Sequence, residues 1–423
     1  MSELQFHLIS FEGPDAYCRA GGISTRVSGL ATALADADFE THFWFVGEPD
    51  APGHEQRGSL HLHRWCQWVS RFHPGGVYDG EEEKRNDFVR SLPPFLVEHV
   101  LLPSLTRGSR AIVLAEEWHT ADAVLHLDWL LRSAGRREDV SILWNANNTF
   151  GFGRVDWPRL AQAATVTTVS RFMKHCMWQV GVDALVIPNG LGAEAFIRPS
   201  QEEVAAIRGS SVERTLLAKI ARWDPDKRWL LALQIVRALK DAGAQPMLVA
   251  RGGSERHGSE VFDEAVRLGL LVANRPLEAP TAEGIAEAVN GTGDADVINL
   301  MSPLDAASRR CLLNAADVVL ANSGREPFGL VGLETMAVGG VACTGCTGED
   351  YAVPGKNAIV QQTNDPREFL GLFAELRSDA HGVQALRDSG AATARDYAWP
   401  VILRRNLLPR VMAMSGLLAS RIP

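Results

Sequence analysis

At 423 residues, 46% hydrophobic and 22% charged, the chain is too long for a single usual core and has the balance of a soluble globular protein of two or three domains. A net charge of −9 excludes the broadly basic face that a nucleic-acid partner requires. With neither a basic leader nor an apolar run of about 20 residues, the expectation is a cytoplasmic protein without membrane association.

The first residues set the pattern for the rest. A strand over Leu4–Ser10 leads into a loop, Phe11–Gly21, then a helix over Gly22–Ala35 and a strand over His42–Val46. Gly21 and Gly22 stand at the helix entrance, where bare backbone can admit a phosphate or a sugar, or simply make a tight turn. Residues 48–90 are read as a strand at Ser59–Trp65 followed by an insertion over the sheet. Its charge run, Glu81-Glu-Glu-Lys-Arg85, is expected to be a solvated helix face. Trp65, Trp68, Phe72 and Tyr78 are either a stacking surface for a sugar or packing under a long loop.

Arg110–Ala115 is a buried strand, and His119 follows it at the entrance to a helix over Ala121–Arg132. The carboxyl ends of strands are where open α/β sheets bind ligands, which makes His119 a candidate binding group. The strand Val140–Trp144 ends in Asn145, Asn147 and Asn148, amides that suit either sugar hydroxyls or loop capping. The segment Arg171–Trp178 reads as a core-facing helix. After Pro188-Asn-Gly190 the strand character fades, and the boundary is placed near residue 195.

The alternation then restarts. Thr215–Ala221 is a strand, followed by a loop that carries Arg222 and Lys227, and Trp229–Asp241 is a helix. Two cations beside a helix N-terminus oppose its dipole, a conflict that an anionic ligand relieves. The strand Pro246–Ala250 ends in Arg251 and Gly252. The strand Asp317–Ala321 runs into Asn322-Ser-Gly-Arg-Glu326, and Pro327 is expected to open a helix running to about Val338. The amides of Phe328, Gly329 and Leu330 would then face an anion, with Glu326 and Glu334 about 12 Å apart along the helix axis. Of Cys18, Cys66, Cys176, Cys311, Cys343 and Cys346, the last two form a C-x-x-C with no second pair to complete a zinc site; reduced thiols are expected.

Alternating strands and helices in both halves predict two doubly wound parallel sheets. All these groups fall at strand carboxyl ends, and a ligand held in a cleft between two domains is expected. Glycines, a histidine and amides on one side suit hydroxyls; two cations, a helix N-terminus and two carboxylates on the other suit a nucleotide diphosphate.

The run Glu326-Pro-Phe-Gly-Leu-Val-Gly-Leu-Glu334 resembles the E-x7-E signature of retaining glycosyltransferases of family four and the related motif of glycogen and starch synthases. Arg222 with Lys227, Arg19-Ala-Gly-Gly22 and Ile187-Pro-Asn-Gly190 are similar to further motifs of that family. The resemblance implies a B-type fold of two Rossmann-like domains, 1–195 on the acceptor side and 196–398 on the nucleotide-sugar side, with 399–423 crossing back to the first. It implies that Arg222 and Lys227 clamp the departing diphosphate, that Gly329 and Leu330 give amides to it, and that Glu334 holds the ribose. Glu326 and His119 would contact the donor sugar. Gly21, Gly22, Arg251, Gly252 and Phe328 would complete the donor site, and Asn145, Asn147 and Asn148 would lie toward the acceptor, in a loop where many relatives carry a histidine. The reaction implied is hexose transfer from a nucleotide sugar to a carbohydrate or small-molecule hydroxyl, with no cofactor and no metal. The rival readings are a nucleotide-sugar epimerase, which would need its own acid/base residues, and a non-catalytic sugar-binding protein, which has no need of Arg222, Lys227 and the paired glutamates.

Overall fold

The structure is a computed structural model that describes residues 4–209 and 213–414. The chain divides into two compact units, residues 1–192 with 397–423, and residues 193–396.

In the first unit eight strands form one sheet: β1 (Leu4–Ile9), β2 (Glu40–Val46), β3 (His54–Arg57), β4 (Leu60–Trp65), β5 (Arg110–Glu116), β6 (Val140–Ala146), β7 (Thr165–Thr168) and β8 (Leu185–Val186). Their order is β3-β4-β2-β1-β5-β6-β7-β8, parallel except for β3, which pairs antiparallel with β4 at the edge. β1, β2 and β5 are buried along nearly their whole length, because helices cover both faces of a parallel sheet. The order reverses between β1 and β5, so the loops after these two strands meet at the switch point.

The second unit has seven strands: β9 (Thr215–Ile220), β10 (Pro246–Arg251), β11 (Val272–Arg275), β12 (Val297–Leu300), β13 (Val318–Ala321), β14 (Ala342–Thr344) and β15 (Ile359–Val360). All are parallel, in the order β11-β12-β10-β9-β13-β14-β15, with the switch between β9 and β13. Alternate side chains feed two cores. Leu217 and Leu248 pack under the helices Trp229–Asp241 and Pro366–Ser378, whereas Leu216, Ala218, Met247 and Val249 pack under Ala282–Asn290 and Ala306–Ala315. Two apolar faces per strand explain why these strands read as continuous hydrophobic runs.

The segment after Asp396 belongs to the first unit. Leu191 and Ala398 form a parallel bridge, and the Trp399 amide donates to Leu191 O at 3.0 Å. The Trp399 ring fills the space beside Gly29 and Gly190, where an added Cβ would lie 2.3 and 2.4 Å from it. Those two glycines are the seat of the indole.

Two sequence expectations need correction. Pro327 does not open a helix: the helix is Leu330–Ala337, and its N-cap is Gly329 at φ +79°, a left-handed conformation that favours glycine. The path from Glu326 to Glu334 is therefore not helical throughout. The run Glu81–Arg85 does begin a helix, but Lys84 is fully buried and donates to Gly76 O at 2.8 Å, so the face is not wholly solvated. The units part after Gly192 and Asp396. The helix Arg171–Trp178 buries Met173 and Met177, and the described cysteines are all free thiols. Among the described residues no helix is long and apolar enough to cross a membrane.

Candidate functional site

In the second unit the switch point gathers most of the predicted residues. The loop after β9 makes a short turn at Pro225–Lys227, and the loop after β13 is stitched to it where Gly324 N donates to Asp226 O at 2.7 Å. This brings Lys227 Nζ to 2.6 Å from Glu326 Oε2, although the residues lie 99 positions apart. Both side chains keep about a fifth of their surface exposed, so the pair is reachable from solvent.

Behind the pair lies a group that the sequence reading missed. Thr347 Oγ1 accepts from Glu326 N at 2.9 Å, Tyr351 donates to Gly329 O, and a Cβ at Gly329 would meet Glu349 Cγ at 2.7 Å. Burial, reinforced by the nearby Glu326 carboxylate, pushes the Glu349 carboxyl up to about 7. Deeper still, Lys219 on β9 is fully buried; its ammonium donates to Leu320 O at 2.9 Å and Asn322 Oδ1 at 3.0 Å, and desolvation lowers it to about 7. Thus Thr347 and Tyr351 brace the stretch around Glu326, and Lys219 ties β9 to the end of β13.

The remaining predicted residues of this unit are placed less uniformly. Arg222 is exposed, and its carbonyl accepts from Trp229 Nε1 at 2.8 Å. Glu334 pairs with Arg309, while burial raises its carboxyl above the ordinary range. Phe328 is buried. Arg251 Nε donates to Ser302 O at 2.7 Å, and Gly252 lies against Trp223, where a Cβ would be 1.9 Å from the ring. Gly252 is explained by that contact.

In the first unit His119 is held at its own switch point. It stacks on Phe11 at 4.5 Å and 13°, and on Trp118 at 4.0 Å. Its Nε2 lies 2.6 Å from Glu81 Oε1. Desolvation lowers His119 to about 4, so the ring is neutral at pH 7, and the carboxylate fixes the proton on Nε2. Nδ1 is then an acceptor, buried and without a hydrogen-bond partner among the described residues. At the helix entrance, Glu12 accepts from Gly21 N at 3.2 Å and Ser24 N at 3.0 Å, so a carboxylate already caps the helix that the glycine pair was expected to open to a ligand.

Asn145 and Asn147 are turned inward. Their Nδ2 atoms donate to Glu116 Oε2 at 2.8 and 2.7 Å, and Asn148 Oδ1 accepts from Phe150 N at 2.7 Å. Glu116 in turn faces Arg26 at 3.1 Å, both buried. The next residue, Glu117, is buried at φ +69°, with its Oε1 accepting from Asn147 N at 2.6 Å. Burial pushes its carboxyl up to about 8 from 4.5. The folded chain then binds a proton that the unfolded chain releases, so stability is greatest below about pH 4.5 and falls as pH rises to about 8. Urea midpoints for the first unit are expected to fall between pH 5 and 8, and Glu117→Gln to flatten that dependence; an unchanged slope in the variant contradicts the assignment.

No protein-family model matches the chain. A curated relative, "D-inositol 3-phosphate glycosyltransferase" of Paenarthrobacter aurescens, is 26% identical over 455 aligned residues, covering 100% of each chain. Among solved structures, a sucrose-phosphate synthase from Thermosynechococcus elongatus superposes with a TM-score of 0.68 at 17% identity, covering 99% of this chain and 100% of that one. The catalytic domain of starch synthase IV from Arabidopsis thaliana, bound to ADP and acarbose, gives 0.70 at 16% identity over 99% of this chain and 100% of that one. With a glycosyltransferase matched from end to end and the two-sheet architecture shared with these synthases, the chain is a glycosyltransferase of the two-domain B-type, similar to the enzymes of family four.

Proposed function

We propose that the chain transfers a hexose from a nucleotide-diphosphate sugar to a hydroxyl acceptor, with retention at the anomeric carbon and without a catalytic metal. The observation that carries this reading is the Lys227–Glu326 pair at the second unit's switch point, beside the helix that begins at Leu330. A cation and the free amides of a helix N-terminus suit a leaving diphosphate. The carboxylate suits sugar hydroxyls.

In the proposed step the bond from the anomeric carbon to the phosphate oxygen breaks, and a bond to the acceptor oxygen forms on the same face. The acceptor's proton passes to the departing phosphate, so no separate base is required. Lys227 and the exposed Arg222 neutralise the charge that develops there, a role that metal ions fill elsewhere. In the first unit the unpartnered His119 Nδ1 supports a further contact, accepting a hydrogen bond from a sugar hydroxyl.

The test is a screen of ADP-, UDP- and GDP-hexoses by thermal shift and by donor hydrolysis, without added divalent cation. One nucleotide class is expected to raise Tm and to be hydrolysed slowly, with an inositol phosphate as the first acceptor to try, given the relative's name. Binding of none of these donors, or strict dependence on Mg²⁺, overturns the proposal.

A further inference from the structure

Five of the chain's 12 histidines stand together on one face of the first sheet, near the edge strands. Register explains the gathering: His7 on β1 pairs with His42 on β2, His42 with His61 on β4, and His63 on β4 with His54 on β3. Alternation along each strand puts these side chains on the same face as Glu40. The rings form a stack, with His7–His42 centroids 4.7 Å apart and His42–His61 centroids 4.6 Å apart. β-Branched residues would pack such a surface at least as well, so simple burial does not account for the choice.

The donor atoms converge. His42 Nε2 lies 3.2 Å from Glu40 Oε1, and the donor atoms of Glu40, His42 and His61 all lie within 4.8 Å of one another. Two ligands at about 2.0–2.1 Å from one tetrahedral ion lie about 3.3 Å apart, so the Glu40–His42 spacing already fits. The outer groups are also in place. Gln5 Nε2 donates to Glu40 Oε2 at 2.8 Å, His42 Nδ1 lies 3.0 Å from His63 Nε2, and His61 Nδ1 lies 3.4 Å from His54 Nε2. Metal-bound imidazoles characteristically use the second nitrogen in this way. When His42 donates from Nδ1 to His63, its Nε2 lone pair faces the Glu40 carboxylate. A cation turns that repulsion into attraction.

We propose that Glu40, His42 and His61 form a binding site for one transition-metal ion of the zinc class, clipping β2 to the β4–β3 edge hairpin. Imidazole with carboxylate selects such an ion over Mg²⁺ or Ca²⁺. The site stands apart from the transfer chemistry: His42 precedes the end of β2 by four residues, roughly 13 Å along the strand from the carboxyl-end loops. Its role is structural, and its loss is expected to change the first unit's melting more than turnover.

The experiment uses the full-length protein, stripped with chelator and desalted. Titration with Zn²⁺ is expected to give one ion per chain with a Kd below about 1 μM, and Co²⁺ to give the visible absorption of a four- or five-coordinate ion. Glu40→Gln and His61→Ala, both at partly exposed side chains, are each expected to weaken binding at least tenfold. Zn²⁺ at a hundredfold excess over Kd is expected to raise Tm of the unmutated protein by about 5 °C or more, and Mg²⁺ to leave it unchanged. Absence of stoichiometric binding, or affinity unchanged in both variants, overturns the proposal. The other tautomer, with His42 Nε2–H donating to Glu40, then describes the cluster.

Discussion

Replacing Lys227 by Ala is expected to lower kcat/KM for transfer by about 10²–10³-fold, the usual cost of removing one charge-stabilising donor from a reacting centre. Lys227 Nζ reaches Glu326 directly, so each variant leaves its partner without its counter-charge. Both groups keep contact with solvent, and a partly exposed pair contributes only about 0–1 kcal/mol to stability. Glu326→Ala is therefore expected to be equally inactive while melting within a few degrees of the parent protein. Steady-state assays with a donor already shown to bind, run beside thermal melts, decide the matter. Turnover within threefold of the parent in either variant would remove the pair from the chemistry.

A loss of about 3–5 kcal/mol is expected for Arg26→Met, the largest effect on stability. Arg26 Nε lies between both Glu116 oxygens, at 3.1 and 3.2 Å, its Nη1 donates to Asn189 Oδ1 at 2.6 Å, and its guanidinium stands 5.9 Å from the Trp399 ring centre. Without the cation, Glu116 is a buried carboxylate held only by the amides of Asn145 and Asn147. Breaking one half of a buried pair costs more than replacing both halves, so a double Arg26→Met, Glu116→Leu variant is expected to recover part of the loss. Urea denaturation of the three proteins measures this. A single-variant loss below about 1 kcal/mol would mean that water reaches Glu116.

The sequence and the structure agree most where a physical signal is local. Strands at Leu4, Arg110, Val140 and Pro246 announce themselves as apolar runs followed by polar loops, and the two parallel sheets follow from that alternation. Glu326 and Lys227, read from loops 99 residues apart, proved to be direct neighbours. What escaped notice depends on register or on distant loops. Lys219 sits in a run of apolar residues with nothing nearby to indicate a buried ammonium, and Glu349 is raised by burial and by a Glu326 carboxylate 23 residues away in the chain. The amides of Asn145 and Asn147 suited hydroxyls equally well on paper; Glu116, one strand away, claims them. His61 and His63 stand two apart in the sequence, as do Glu40 and His42, but their convergence needed the pairing of β2 with β4. Pro327 misled because a glycine two residues later, not the proline, sets the helix start.

The return of the chain end to the first unit bears on synthesis. Residues 193–396 form one uninterrupted stretch, whereas the first unit is missing the Leu191–Ala398 bridge and the Trp399 ring until the ribosome has made them. Domains ordinarily mature from the N-terminus onward during translation. Here the half that begins first is expected to finish last. A nascent chain arrested just before Tyr397 would carry a completed second unit behind a first unit whose glycine-lined seat at Gly29 and Gly190 is still open to solvent, and to chaperones.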